Sequence, residues 1–323
     1  PDHQIGGFAT GGDSDKMGGH FGPGRNGMCH SQNGHPLGRT CKPSHREVFA
    51  TTGFILPKIG KTMPVMTKTL LSIGHGFSAR ALAPLLIRRG WRVIGTTRSP
   101  AKFGLLERQG VEPLQWPGSD LPLDKATHLL TSVAPKDTGD PVLNEMGDRL
   151  RQAKNLEWVG YLSTTGVYGD QGGDWVDEDA PLTPSTKRGK ARVAAEAAWA
   201  DLGLPLHIFR LAGIYGPGRG PFEKVRRGTA RRIIKEGQVF SRIHVDDIAA
   251  TVFASIQHPN PGAAYNVCDD DPAPPQDVIA HAAKLLGLPL PPAVPFEDAD
   301  MTPMARSFYA ESKRVKNERI KTE

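Results

Sequence analysis

The stretch KTLLSIGHGFSARALAPLL, residues 68–86, decides the fold of this chain. A short apolar run leads into two closely spaced glycines, and leucines at helical spacing follow, which predicts a strand, a tight turn and a helix. In such a turn Gly74 permits the bend, Gly76 lets the backbone approach a pyrophosphate, and the small Ala79 lets the helix pack on the strand. The helix start, at Phe77, offers free N–H groups that favour a negative charge. The stretch therefore predicts a dinucleotide-binding turn.

Strand and helix patterns continue to alternate along the rest of the chain, which predicts an α/β fold with a parallel sheet and right-handed crossovers. The further strand patterns are WRVIGTTR (91–98), EPLQW (112–116), HLLTSVAP (128–135), WVGYLSTTGVYG (158–169), HIFRLAGIYGPG (207–218), FSRIHV (240–245) and AAYNV (263–267). Pro84 predicts a kink in the first helix. Asp246 or Asp247 is expected to cap a later helix, and His244 is expected to be a core residue.

Residues 1–65 differ in character from the rest of the chain, because they are rich in Gly, His and Pro and lack apolar periodicity. Such a segment cannot bury enough surface to fold alone. We interpret it as a disordered extension or an artefact of open-frame translation, with the natural start at Met63 or Met66.

A metal site is the alternative reading of this segment, because it contains several side chains that ligate zinc. They are Cys29, His30, His35, Cys41 and His45. Zinc modules usually show two closely spaced ligand pairs around a structured core. The spacing Cys41-x3-His45 supplies one pair and the second is irregular, so no metal is predicted.

Composition restricts the class of protein. The 323 residues are 38% hydrophobic and 23% charged, and the three cysteines are too few for a disulfide scaffold. The net charge is +6, and residues 1–65 carry half of that excess, so a nucleic-acid partner is not expected. Neither a membrane span nor a signal peptide is recognisable. These features predict a cytoplasmic monomer or homodimer that acts on a small molecule.

The end of the second strand pattern, GTTRSPAK (95–102), selects the dinucleotide. NAD enzymes place an acidic residue here, which binds the ribose 2′-hydroxyl. Thr97 occupies that position, and Arg98 follows with paired donors suited to a 2′-phosphate, assisted by Lys102. The pattern favours NADP(H) over NAD, and a solvated Arg98 is the alternative.

Five stretches together resemble the extended short-chain dehydrogenase/reductase family, in its NAD-dependent epimerase/dehydratase group. They are GHGFSA (74–79), LSTTGVYGD (162–170), RLAGIYGPGR (210–219), RIHVDDIA (242–249) and YNVCDD (265–270). The resemblance implies a Rossmann domain over residues 66–323, doubly wound around a parallel sheet. It also implies a small C-terminal α/β substrate lobe, contributed mainly by about 217–240 and 265–323. The implied activity is hydride transfer between a nicotinamide and a nucleotide-linked sugar or a similar alcohol or ketone.

The resemblance also assigns residues to the site. Thr164 would bond the substrate oxygen, and Arg210 and Tyr215 would line the exit of the sixth strand. Ser132 and Ala134 would lie beside the cofactor. The family's paired Tyr and Lys positions fall on Arg188 and Arg192. A Tyr-x3-Lys spacing does occur at Tyr309 and Lys313, but it lies in the C-terminal tail and we interpret it as chance.

The exchange of Tyr and Lys for Arg188 and Arg192 changes the expected chemistry. A guanidinium stays protonated at neutral pH and cannot accept a substrate proton. At i and i+4 the two arginines share one helix face, where they would hold a carboxylate, a phosphate or an oxyanion. The alternative is a solvated face. Tyr168 is the second candidate for a phenol. Two functions stay open: an oxidoreductase with an atypical proton relay, and a non-catalytic module that senses the NADP(H) redox state.

Overall fold

A computed structural model describes residues 67–323 of the chain. The interpretations of residues 1–65, including the candidate zinc ligands and the start at Met63 or Met66, lie outside this range.

Thirteen strands are found in residues 67–323: β1 (Thr69–Ile73), β2 (Arg92–Thr97), β3 (Glu112–Gln115), β4 (His128–Thr131), β5 (Trp158–Thr164), β6 (Trp175–Val176), β7 (Leu206–Leu211), β8 (Gly213–Tyr215), β9 (Arg232–Ile234), β10 (Arg242–His244), β11 (Ala264–Val267), β12 (Ala293–Pro295) and β13 (Arg314–Val315). The α-helices of the same range are α1 (Phe77–Ile87), α2 (Phe103–Glu107), α3 (Pro141–Gln152), α4 (Lys187–Ala200), α5 (Pro221–Arg226), α6 (Val245–Gln257), α7 (Pro275–Leu286), α8 (Pro303–Phe308) and α9 (Glu318–Thr322).

Seven of these strands form one sheet in the order β11-β7-β5-β4-β1-β2-β3, and every neighbouring pair is parallel. Parallel neighbours need crossover connections, and helices supply most of them. The strand order reverses between β1 and β4, as it does in a doubly wound Rossmann sheet. The sheet confirms the predicted α/β class and its parallel strands.

Two apolar layers cover the faces of the sheet, because successive strand side chains point to opposite sides. Leu70 and Leu130 face the layer formed with α1 and α6. Leu71 and Leu129 face the other layer, which includes α3 and α4. This double burial explains why the strands are nearly continuous apolar runs rather than alternating ones.

The predicted sixth strand is two strands that belong to different sheets. The chain leaves the central sheet after Leu211, and β8 pairs instead with β10 in a small parallel sheet. Hydropathy could not reveal the break, because both pieces are apolar and extended.

Local details near the helices also differ from prediction. His244 caps α6, with its ring nitrogen accepting from the backbone N–H of Asp246 at 3.3 Å, so neither predicted aspartate is the cap and His244 is not a core residue. Helix α1 runs from Phe77 to Ile87 with Pro84 inside it.

A smaller group of elements packs at one end of the sheet, and we call α5, β9, α7, β12 and α8 the small lobe. Within it β9 pairs with β12, and α5 packs against α7. Val225, Ala230, Ala282 and Ala283 form its buried core. The lobe overhangs the edge at which the parallel strands end.

Candidate cofactor and substrate cleft

A cleft of about 2020 Å³ opens at the carboxyl ends of the central strands, between them and the small lobe. A single small-molecule site usually measures roughly 300–1,000 Å³. The cleft therefore has room for a dinucleotide and a second ligand. It lies where open α/β sheets bind ligands, beside the point at which the strand order reverses.

The glycine turn forms one end of the cleft and fits a pyrophosphate. Gly74 has a φ of +75°, and a Cβ there would lie 3.0 Å from a methyl carbon of Val133. Gly76 is the N-cap of α1, which carries no side-chain cap and no acidic residue in its first turn. The helix dipole and unbonded N–H groups therefore face an open space. Ala79 is buried beneath, against the sheet, as a small residue permits.

Other residues predicted at the cofactor lie around this turn. Ser132 and Ala134 both line the cleft, and the Ser132 hydroxyl donates to the carbonyl of Gly74. Phe77 lines it as well, and the guanidinium carbon of Arg219 lies 5.5 Å from the centre of the Phe77 ring. Arg219 thus sets a positive charge beside the turn. The sequence analysis missed this role, although Arg219 ends the quoted stretch RLAGIYGPGR.

Thr97 and Arg98 follow the end of β2. The hydroxyl of Thr97 accepts from the backbone N–H of Ser99 at 3.3 Å. Arg98 is exposed and makes no hydrogen bond or ion pair with another residue of 67–323. Neither residue lines the cleft itself. The strand end therefore presents an unpaired guanidinium and no carboxylate.

Thr164 ends β5 and lines the cleft with its hydroxyl accepting from the N–H of Gly166 at 3.2 Å. The hydroxyl proton is therefore available to a ligand. Helix α4 packs closely on this segment because Gly189 lacks a side chain. A Cβ at Gly189 would lie 2.7 Å from the Pro184 Cβ and 2.8 Å from the Gly166 carbonyl oxygen.

Arg188 and Arg192 both line the cleft from α4, but their surroundings differ. One terminal nitrogen of Arg192 donates to the Tyr161 hydroxyl at 2.9 Å and to the Leu162 carbonyl at 3.0 Å. Arg188 is exposed, and its guanidinium carbon lies 4.7 Å from the centre of the Phe308 ring. Arg192 therefore ties α4 to β5, while the N–H groups of Arg188 stay open to a ligand.

Arg210 and Tyr168 do not line the cleft, which corrects two predictions. Arg210 is only 6% exposed and forms an ion pair with Glu196 at 3.0 Å. The Tyr168 hydroxyl accepts from Arg210 at 2.9 Å and contacts the amide oxygen of Asn266 at 2.7 Å. Burial raises the pKa of Tyr168. The two side chains are therefore buried groups behind the cleft lining, and they would not contact a ligand in the cleft.

Two tyrosines line the cleft: Tyr215, which was expected at the exit of the sixth strand, and Tyr309, whose spacing to Lys313 was interpreted as chance. Burial raises the pKa of Tyr215, and the nearby Asp269 adds to the shift. Burial also raises the pKa of Tyr309, which Arg242 partly offsets. Lys313 lines the cleft too, but its amino group bonds Gly169 and Glu311. No hydrogen bond joins Tyr309 to Lys313, so their spacing does not produce the family pair.

The cleft brings together an anion-binding turn, a free hydroxyl and an open guanidinium. A hydroxyl and a guanidinium can polarise a carbonyl oxygen and stabilise the negative charge that develops on it. In residues 67–323 no cluster of His, Cys, Asp and Glu could hold a metal. None of the helices that the structure describes combines the length and the apolar character needed to cross a membrane.

The fold and these motifs define a class of protein: they resemble those of the NAD-dependent epimerase/dehydratase proteins of the extended short-chain dehydrogenase/reductase type. A conserved protein of unknown function from Silicibacter pomeroyi is 62% identical, with a TM-score of 0.77, over 80% of this chain and 92% of that chain. A protein assigned to the NAD-dependent epimerase/dehydratase group, from Methylobacillus flagellatus, is 27% identical with a TM-score of 0.58, over 79% and 90% of the two chains.

Sequence comparison adds curated relatives and no family model. Protein YeeZ of Escherichia coli K12 is 28% identical over 243 residues, which cover 69% of this chain and 86% of YeeZ. No family model matches the chain. Two structures with the same fold, at 15% and 20% identity, were solved with NAD and with NADPH respectively.

Proposed function

We propose that the protein is an NADP(H)-dependent oxidoreductase that interconverts an alcohol and a ketone in the cleft. One observation carries the proposal: the uncapped, acid-free start of α1 and the free hydroxyl of Thr164 open into the same space. A binding module would need the first feature alone. The second places a hydrogen-bond donor where a substrate carbonyl could receive it.

The preference for NADP(H) rests on the end of β2. Thr97 cannot accept the bonds that a carboxylate offers to a ribose 2′-hydroxyl, and Arg98 stands unpaired beside it. A guanidinium can hold a 2′-phosphate through charge-assisted bonds. The two residues therefore favour the phosphorylated dinucleotide.

Within this proposal, residues of the chain position the substrate and stabilise charge. When bound, the nicotinamide supplies or takes up a hydride. The Thr164 hydroxyl donates to the substrate oxygen. Arg188 adds a positive charge to the same cleft, but its guanidinium cannot move a proton at neutral pH. In the direction of reduction, the substrate oxygen that Thr164 holds would take its proton from water.

The cofactor test is the substitution Arg98→Asp, followed by titration of nicotinamide fluorescence. Hydrogen bonds to charged groups contribute about 1.5–3 kcal/mol, so NADPH affinity should fall roughly 10- to 150-fold. NADH lacks the phosphate and is the internal control, with its affinity unchanged. Equal affinities of the unaltered protein for NADPH and NADH would overturn the argument from Arg98.

The catalytic test is the substitution Thr164→Val, which keeps the side-chain shape and removes the hydroxyl. Loss of the hydroxyl should remove about 2 kcal/mol of transition-state stabilisation or more. NADPH consumption with ketone substrates should therefore fall roughly 30-fold, while NADPH affinity stays unchanged. Consumption by the variant at the rate of the unaltered protein would contradict the role of Thr164.

A non-catalytic redox-sensing module is the second candidate. It is favoured because the tyrosine within β5, Tyr161, and the tyrosine just after it, Tyr168, are fully buried and lie outside the cleft lining. A sensor would bind NADPH and NADP+ with different affinities and consume no NADPH with any carbonyl compound. Measurable consumption that depends on Thr164 would exclude it.

A further inference from the structure

The wall that the small lobe and its neighbouring segments present to the cleft is apolar and aromatic. We call it the apolar wall, and its main members are Phe222, Ile233, Phe240, Leu285, Met304 and Phe308. Four of them are exposed: Phe222 at 38%, Leu285 at 61%, Met304 at 63% and Phe308 at 52%. They make up half of the large hydrophobic side chains exposed in residues 67–323. Apolar surface gathered in one concave place points to a ligand with an apolar body.

Arg188 stands at the border of this wall. Its guanidinium carbon lies over the Phe308 ring, 4.7 Å from the ring centre, which is within the range of a cation–π contact. The N–H donors of its side chain stay free, because that side chain makes no hydrogen bond or ion pair with any residue of 67–323. A planar fork of donors held in this way suits one carboxylate in the paired geometry. Arg192 is less suited, since part of its guanidinium already bonds Tyr161 and Leu162.

The charges on the lobe side of the cleft do not suit a diphosphate. Lys224 and Arg231 line it, but so do Asp277 and Asp300, and the two signs offset each other. A nucleotide diphosphate carries at least two negative charges and would need a surplus of cations away from the glycine turn. The wall instead offers aromatic faces, on which an aromatic ring can stack.

We propose that the second ligand of the cleft is an amphipathic organic acid, with an aromatic or apolar body on the apolar wall and one carboxylate on Arg188. This substrate class rests on the proposed function, because it assigns the carbonyl group of the same molecule to Thr164. It replaces the nucleotide-linked sugar that the family resemblance implies.

The test measures binding by isothermal titration calorimetry, with and without saturating NADPH. The acids are trans-cinnamate, indole-3-acetate and octanoate, and the comparison ligands are cinnamyl alcohol and UDP. Saturable binding is expected for at least one aromatic acid. Cinnamyl alcohol, which lacks the charge, should bind about tenfold more weakly than cinnamate or worse. With NADPH saturating, so that the glycine turn is occupied, UDP should show no saturable binding.

Two pairs of variants locate the binding. Arg188→Gln should weaken cinnamate binding about tenfold, whereas Lys190→Gln, exposed on the same helix but outside the cleft lining, should not. Phe308→Ala should weaken it by a similar factor. Trp175→Ala removes an equally exposed aromatic ring that does not line the cleft, and should leave binding unchanged. All four positions are exposed, so the variants should fold.

The outcomes separate the substrate class from the proposed function. If the protein binds NADPH, two results overturn the substrate class: saturable binding of UDP to the NADPH-saturated protein, and no binding of any acid. Both leave the cofactor argument intact. Cinnamate binding that survives Arg188→Gln overturns it too, since the acid would then lie elsewhere. Acid binding that depends on Arg188, in a protein that does not bind NADPH, supports the acid site and overturns the oxidoreductase.

Discussion

Replacing Arg210 by methionine is expected to destabilise the fold without changing the affinity of the cleft for NADPH. The guanidinium donates to Glu196 at 3.0 and 3.3 Å, to the Tyr168 hydroxyl at 2.9 Å and to the Glu178 carbonyl at 3.2 Å. Both charged side chains of the pair are almost fully buried, at 7% and 5% exposure. Methionine fills much of the same volume but leaves the Glu196 carboxylate buried, with the Ser163 hydroxyl as its remaining hydrogen-bond partner.

The magnitude follows from that burial. Removing one partner of a buried ion pair costs about 3–5 kcal/mol, because an uncompensated charge remains. For a domain of this size each 1 kcal/mol lowers the melting temperature by roughly 2–4 °C, so a fall of roughly 6–20 °C is expected. The double variant Arg210→Met/Glu196→Met removes both charges. It should recover much of the loss, since apolar replacements of a buried pair are often neutral.

The assay combines thermal denaturation followed by circular dichroism with NADPH titration by fluorescence. The Arg210→Met variant should lose stability and keep its NADPH affinity at a temperature where it is folded. An unchanged melting temperature with weakened NADPH binding would refute the reasoning and return Arg210 to the cofactor site. A double variant that loses the sum of both single losses would show that the two charges are not coupled.

Three further predictions follow from buried or closely packed groups. Burial lowers the pKa of His75 and of His128 to about 4, whereas in the unfolded chain the pKa of each imidazole is 6.5. As the pH falls, the unfolded state therefore takes up protons first. The stability that these two histidines contribute is therefore complete above about pH 6.5 and falls towards pH 4, by about 3 kcal/mol each. Urea denaturation should show this decline, and a flat profile would contradict it. Gly189→Ala should lower the free energy of unfolding by about 1–3 kcal/mol, because the new Cβ would lie 2.7 Å from the Pro184 Cβ. Helix propensity alone predicts a raised melting temperature, and that result would count against the close packing. Tyr168→Phe should lower the free energy of unfolding by about 1–2 kcal/mol, because the hydroxyl bonds only buried groups. NADPH consumption should stay within a few-fold of that of the unaltered protein. Abolished consumption with normal stability would make Tyr168 a proton donor.

The sequence could predict the elements that depend on local pattern. The strand, turn and helix of residues 68–86 form as expected, because hydrophobic spacing and two glycines specify them without help from distant residues. The parallel sheet follows from the alternation of strands and helices. The division after Leu211 depends instead on which strand lies alongside, and that is a tertiary property.

The site was less predictable, because contacts between distant residues decide which side chains face the cleft. Arg210 ends a strand on the side of α4, where Glu196 pairs with it, and neither the pattern nor the motif identifies that partner. Tyr309 follows α8 and reaches the cleft only through the placement of the small lobe. The motif that singled out Thr164 points to the cleft because the residue ends a strand, and parallel strands end at one common edge.

Arg188 and Arg192 stand where the family has a proton-moving pair, and their different surroundings separate two consequences of that exchange. Arg192 bonds the Leu162 carbonyl, so it holds α4 against β5 and preserves the geometry of the cleft. Arg188 lies over the Phe308 ring and its side chain is otherwise unpaired, so it adds a fixed positive charge to the cleft that Thr164 also lines. A charge that cannot be titrated at neutral pH supplies affinity and oxyanion stabilisation but no proton. If the cleft turns over a substrate, the pH profile of the rate should therefore lack the inflection that a tyrosine–lysine pair imposes. The rate should depend instead on proton supply from water.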